Sequence, residues 1–314
     1  MIPDTHYILT LSCKDVRGIV ASVTGFLAEN FGFIIESAQF GDASTGQFFL
    51  RIEFTVETPG PSEDVLKKRF HEQVGARFAM HWQIIGKEVK SRVLVMVSKY
   101  GHCLNDLLYR HSTGQLAIEI PAIVSNHRDW EHVANWHDIP FYHLPVSSSC
   151  GSRSESTGSK MTELDPAQPL RVSQDDSKAE QETKILEVIE RHKIDVVVLA
   201  RYMQILSEKM CRQLQGRAIN IHHSFLPSFK GAKPYEQAFD RGVKLIGATA
   251  HYVTMDLDEG PIIEQEVSRV DHTHQPDDLA AIGRDIECSV LARALKYHTE
   301  HRVLLNGHKT VVFR

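Results

Sequence analysis

The sequence predicts an α/β protein in two units: a ferredoxin-like βαββαβ unit over residues 1–86, then a doubly wound, mostly parallel sheet over residues 91–314. Three observations carry that prediction. The first 86 residues read strand, helix, strand, strand, helix, strand, the order of the split βαβ unit. After the charged linker of residues 86–91, short apolar runs alternate with helical patterns, which calls for parallel strands and right-handed crossovers. The runs themselves, such as Val196-Val197-Val198-Leu199-Ala200, have the length of strands buried on both faces.

In the first unit, residues 7–12 form a strand closed by the polar turn Cys13-Lys14-Asp15-Val16-Arg17-Gly18. Ile19, Val23, Phe26 and Leu27 give residues 19–30 helical spacing, with Gly32 past the helix end. Residues 33–40 and 47–56 are strands joined as a hairpin, 63–74 a second helix and 79–85 a fourth strand. In the second unit, residues 92–97, 117–124 and 139–144 are strands separated by helices over 103–111 and 129–136. Residues 147–174 are Ser-rich, with Gly151, Gly158, Pro166 and Pro169, and read as an exposed, mobile insertion. Ser177-Lys178-Ala179-Glu180 is a capping box that opens a helix running to about His192. A strand follows over 194–200, then Ser207 as an N-cap, and a helix bracketed by Pro234 and Gly242. Strands over 243–254 and 261–270, a helix over 276–298 and an Asn306-Gly307 hairpin complete the chain.

Composition narrows the function. A net charge of −5, with no basic run longer than Lys67-Lys68-Arg69, argues against a nucleic-acid partner. Cys13, Cys103, Cys150, Cys211 and Cys288 are widely spaced, which suggests neither a disulfide framework nor a zinc knuckle and fits a reducing compartment. No apolar run approaches the length of a membrane span, and the first residues lack a basic leader. The expectation is a soluble, cytoplasmic protein with no membrane partner.

Chemistry concentrates in two segments. Ala218-Ile219-Asn220-Ile221-His222 starts as an apolar strand and enters the loop His223-Ser224-Phe225-Leu226-Pro227-Ser228-Phe229-Lys230-Gly231. Its polar groups therefore emerge at a strand end, where open α/β sheets bind ligands. Asn220 and His222 are two residues apart and leave an extended chain on one face. Asn offers an uncharged amide donor, and His both donates and accepts. Asp258 lies in an acid-rich turn of the second segment, residues 247–260, which could bring a carboxylate to them. An oxyanion donor, a proton carrier and a base are the parts that attack on an acyl carbon requires. For any one of the three, a capping Asn or a surface His is the bland alternative. A metal hydrolase using His222, His251 and a carboxylate is another, although spacings such as His-Glu-x-x-His are absent.

Asn-Ile-His followed by Ser-Phe-Leu-Pro-Ser-Phe-Lys-Gly, with His-Tyr-Val-x-x-Asp-x-Asp-x-Gly downstream, resembles the folate-dependent formyltransferase family over residues 92–298. The resemblance implies a doubly wound sheet of the formyltransferase type and a catalytic trio at Asn220, His222 and Asp258. It implies 10-formyltetrahydrofolate as the formyl donor, with no metal or other cofactor. It also implies a folate site on Arg201, Tyr202, Met203 and Leu206, completed by Thr254, Met255 and Asp256. Met203, Ile205 and Leu206 suit a flat heterocycle and equally suit core packing.

One loop departs from that family. Members with a phosphorylated ribosyl acceptor carry Gly-x-Gly-Ser-Asn after the first strand of the sheet, where backbone amides cradle the phosphate. This chain has Ser98-Lys99-Tyr100-Gly101-His102-Cys103-Leu104, with one glycine and bulky side chains in its place. The departure favours water as the nucleophile, releasing formate and tetrahydrofolate. Transfer to a non-phosphorylated amine is one alternative, and a regulatory protein that only binds folate is another. At the other end of the chain, Lys14-Asp15-Val16-Arg17-Gly18-Ile19-Val20 resembles the first turn of ACT domains, which pair with one another and often bind small amino acids. That resemblance implies an effector site on Asp15, Arg17, Gly18 and Ile19, for glycine or methionine, and a homo-oligomer. A dimerisation module without a ligand is the alternative.

Overall fold

The computed structural model describes residues 5–145, 174–226 and 234–314. The first unit runs β1 (Thr5–Lys14), α1 (Ile19–Glu29), β2 (Gly32–Asp42), β3 (Gln47–Val56), α2 (Glu63–Phe70) and β4 (His81–Gly86). Its strands form an antiparallel sheet of order β2-β3-β1-β4, consistent with the ferredoxin-like prediction. Leu9, Leu11, Phe26, Leu27, Phe54 and Phe70 are among the residues of its core, and the rings of Phe26 and Phe70 meet edge to face at 5.2 Å. The predicted second helix ends early, at Phe70, and widens into one π turn over His71–Gly75. Gly75 there backs onto Trp82, whose Nε1 would lie 2.6 Å from any Cβ at that position.

The second unit continues with β5 (Ser91–Val97), α3 (His102–Ser112), β6 (Ile118–Ser125), α4 (Glu131–Trp136), β7 (Phe141–His143), α5 (Gln174–Arg191) and β8 (Val196–Ala200). Next come α6 (Glu208–Gln213), β9 (Ala218–His222), α7 (Pro234–Asp240), β10 (Leu245–Tyr252), β11 (Ile262–Arg269) and α8 (Pro276–Thr299), then the hairpin β12 (Val303–Asn306) and β13 (Lys309–Val312). The seven-stranded sheet has the order β11-β10-β9-β8-β5-β6-β7. Its strands from β9 to β7 pair in parallel, while β10 and β11 are antiparallel. One face is covered by apolar residues of α3 and α8, the other by those of α5 and α6. From β5 the chain first builds toward β6 and β7, and later returns through β8 to build the other side. The strand order thus reverses between β5 and β8, the place where open α/β sheets offer a ligand crevice beyond the carboxyl ends of their strands.

One start signal is corrected. Helix α5 begins at Gln174, three residues before Ser177, so Ser177 lies inside the helix and is 5% exposed rather than capping it. Acidic residues precede it in the sequence, and such residues favour a first helical turn. Ser207 does cap α6, its Oγ accepting from the Met210 amide at 3.2 Å. The predicted insertion up to residue 173, and residues 227–233 of the loop after β9, lie outside the described residues.

The two sheets are joined by a buried cation. Arg51 of β3 is 1% exposed, and its Nε and Nη2 donate to the Glu300 carbonyl at the end of α8, at 3.3 and 3.2 Å. Its Nη1 donates to Glu36 at 2.9 Å. Among the described residues, no helix is long and apolar enough to cross a membrane.

Candidate active site

The five residues of β9 alternate as the two-residue spacing requires. Ile219 and Ile221 enter the core, while Asn220 and His222 stay half-buried. Asn220 is paired in register with His251 of β10, and its Nδ2 lies 3.3 Å from His251 Nε2. The other ring nitrogen, Nδ1, lies 2.9 Å from the Tyr252 carbonyl oxygen. A carbonyl only accepts, so Nδ1 carries the proton, and Nε2 of the neutral ring accepts from the Asn220 amide. That bond fixes the amide's orientation and leaves its second N–H for another acceptor.

Asp258 reaches these groups from the loop between β10 and β11. Its Oδ1 lies 3.2 Å from His222 Nδ1 and 3.6 Å from His251 Nε2. The residue has φ +58°, a left-handed conformation that Asp tolerates better than most side chains. Hydrogen bonding from His222 is the chief cause that holds its carboxyl well below the usual carboxylate range, so it is ionised at neutral pH. His222 Nε2 is buried with no hydrogen-bond partner among the described residues, which makes it the ring atom left to meet a reactant. His223 stacks on His222 with ring centroids 4.9 Å apart. Burial, followed by the charge of Arg201, pushes the His223 pKa down to about 4, so that ring is neutral.

The residues expected to hold folate divide into two groups. Met203 and Met255 are each 55% exposed and offer apolar surface, and Asp256 is exposed beside Met255. Thr254 Oγ1 donates to the Asp256 carbonyl oxygen at 3.0 Å. Tyr202 is 6% exposed and Leu206 packs against the same core, so Tyr202 can line the crevice only through its backbone. Arg201, at φ +62°, turns its Nε to within 3.4 Å of Glu287 and its guanidinium over the Tyr100 ring. In the first unit, Asp15, Arg17 and Gly18 are exposed on the turn between β1 and α1, whereas the Ile19 side chain is 2% exposed in the core.

Sequence reasoning missed three positions. His251 orients Asn220, whereas the sequence suggested it only as a metal ligand. Ser98 Oγ accepts from the Met203 amide at 3.0 Å and donates to Asn126 Oδ1 at 2.7 Å, tying the loop after β5 to the loop after β8. Glu287 is a buried carboxylate on α8, at a position whose helical neighbours Gly283, Val290 and Leu291 are all buried. An acid on an apolar helix face was the available signal.

A formyl transferase family model matches residues 91–295. The formyltetrahydrofolate deformylase of Corynebacterium sp. (strain P-1) is 46% identical over 314 residues, with 100% of both chains covered. That of Bacillus subtilis (strain 168) is 44% identical, covering 97% of this chain and 93% of the relative. The crystal structure of formyltetrahydrofolate deformylase from Burkholderia mallei superposes with a TM-score of 0.86 at 46% identity, covering 99% of this chain and 100% of that one. The family match, the full-length relatives and the shared fold agree: this chain belongs to the formyl transferase family, among its formyltetrahydrofolate deformylases.

Proposed function

We propose that the chain hydrolyses 10-formyltetrahydrofolate to formate and tetrahydrofolate, with Asn220, His222 and Asp258 as its catalytic residues. The observation that carries this reading is the His222–Asp258 pair at 3.2 Å, beside an Asn220 amide oriented by His251. Attack of water on the formyl carbon places negative charge on the formyl oxygen, where the Asn220 N–H and the His222 ring can donate. The C–O bond forms, the C–N bond breaks, and the water proton is passed on to the leaving nitrogen. The bonding that keeps Asp258 ionised also weakens it as a base. The proton therefore rests better on the His222–Asp258 pair than on Asp258 alone, with the carboxylate balancing a charged imidazole. The scheme calls on side chains only and requires no metal.

Folate lies along Arg201, Tyr202, Met203 and Leu206 on one side and Thr254, Met255 and Asp256 on the other. The exposed methionines support this placement. Purified protein is expected to release formate from 10-formyltetrahydrofolate with no amine present. Formate or formylated product that appears only when an amine is added would make the chain a transferase.

In the same reading residues 1–86 are an ACT-like regulatory and dimerisation unit, and residues 91–314 the catalytic unit of a cytoplasmic enzyme. Support comes from the exposed Asp15–Arg17–Gly18 turn and from the edge strand β2, which shows Phe33, Ile35 and Phe40 to solvent at 64, 49 and 46%. A second copy would cover that edge. Gel filtration of the full chain at micromolar concentration should show a dimer or larger, and titration with glycine or methionine should give heat. A monomer would remove the oligomer, and silence with both amino acids would remove the effector.

A further inference from the structure

Strand β10 sends its side chains alternately to the two faces of the sheet. Ala248, Ala250 and Tyr252 enter the core beneath α8, whereas His251 leaves on the face of Asn220 and His222. Tyr252 is 3% exposed. Its hydroxyl lies 2.7 Å from Nδ1 of His298, in the last turn of α8, and the two rings meet edge to face at 5.6 Å. A pair of apolar side chains would fill this space with no polar atom to satisfy. The pair is not there for the dipole of α8 either. A cation in the last turn stabilises a helix, but burial lowers the His298 pKa and raises that of the Tyr252 hydroxyl, so both groups are neutral at pH 7.

What the pair holds is the end of β10. The ladder with β11 slips at a bulge between Ala250 and His251, so pairing is interrupted where His251 sits. Past Tyr252 the strand gives way to the turn that carries Asp258. The peptide groups of Tyr252 are both engaged at this point. Its amide donates to the Pro261 carbonyl, and its carbonyl accepts from His251 Nδ1, each at 2.9 Å. His251 Nε2 accepts in turn from the Asn220 amide at 3.3 Å. A series of three hydrogen bonds therefore crosses the sheet through one residue, from His298 to Asn220. Its far end is fixed as well. Two residues past His298, the Glu300 carbonyl accepts from Arg51 of the first sheet at 3.3 and 3.2 Å, so the helix end that carries His298 is clamped rather than frayed.

We propose that His298 is a positioning residue for the reaction: through the Tyr252 hydroxyl it fixes the end of β10, and through the Tyr252 carbonyl it fixes the His251 ring that aims the Asn220 amide at the formyl oxygen. The inference rests on the hydrolytic reading above and deepens it.

The test is made on the full chain, with single-turnover formate release, tetrahydrofolate affinity and melting temperature measured together. Tyr252→Phe deletes one oxygen, and His298→Leu deletes its partner. Each should slow formate release about 10-fold, a part of what outright loss of an oxyanion donor costs, while the tetrahydrofolate Kd stays within about twofold. His298→Asn places an oxygen acceptor close to the position of Nδ1 and should recover most of the rate. The decisive comparison adds Tyr252→Phe to Asn220→Ala, in which the series has no amide left to aim. There Tyr252→Phe should leave the residual rate unchanged while lowering the melting temperature as much as it does in wild type. A rate loss of equal size in both backgrounds would make the pair a stability element only and overturn the inference. So would an undiminished rate in Tyr252→Phe, or a rate that falls in step with tetrahydrofolate affinity. If His298→Leu does not fold, Tyr252→Phe decides alone, since it removes a single atom. Failure of the hydrolytic reading is seen separately in wild type, as formate release that requires an amine.

Discussion

Asp258→Asn is expected to slow single-turnover formate release by roughly 10²-fold or more, the scale of general base catalysis, while folate affinity changes little. The amide keeps the volume and can still accept from His222 Nδ1, now 3.2 Å from Oδ1. It cannot take a proton or balance a charged imidazole. Asp256→Asn, two residues earlier, should be much milder, because that side chain is exposed whereas Asp258 Oδ1 lies 3.2 Å from His222 Nδ1. An inactive Asp256→Asn beside an active Asp258→Asn would reverse the assignment across this turn and remove the proposed trio.

Gly260→Ala should damage the same turn through the backbone. A Cβ at Gly260 would lie 1.7 Å from the Tyr252 carbonyl oxygen and 3.1 Å from His251 Nδ1. Neither atom is the far end of a flexible side chain. The carbonyl accepts from His251, and the Tyr252 amide donates to the Pro261 carbonyl at 2.9 Å. The chain must therefore shift, and Asp258, His251 and Asn220 shift with it. Overpacking of this kind costs about 1–3 kcal/mol, which lowers the melting temperature by roughly 2–5 °C in a chain of this size. Formate release should fall as well. Gly25→Ala is the control: nothing lies within 4 Å of a Cβ there, in the middle of α1, and the melting temperature should hold or rise. Equal melting temperatures for Gly260→Ala and wild type would show that the turn yields without cost.

Local features were legible in the sequence, and features set by register or by distant packing were not. Asn220 and His222 could be placed on one face because strand alternation is a property of five consecutive residues. The part played by His251 depends on which residue of β10 stands opposite Asn220, and nothing local encodes that register. The loop after β8 shows the same division. Its position at the crevice follows from topology, but Arg201 adopts φ +62° and Tyr202 drops into the core, a reversal no glycine announces. Glu287 is held by residues from three other segments of the chain, so its hydrophobic surroundings were visible and its partners were not. The Ser177 capping box met its own pattern, yet the helix started earlier on residues equally suited to a first turn.

The guanidinium of Arg51 governs how the molecule comes apart. It is withdrawn from water and held by the Glu300 carbonyl at the end of α8 and by Glu36 of its own sheet, so separating the units breaks two charge-assisted hydrogen bonds to Glu300 and leaves that carbonyl without its donors. The same helix packs along β10 and carries Glu287. Fraying at its C-terminus therefore loosens the joint between the sheets and the wall of the crevice together. Denaturation should accordingly proceed as one all-or-none transition, with no state in which the first sheet has melted while the second persists.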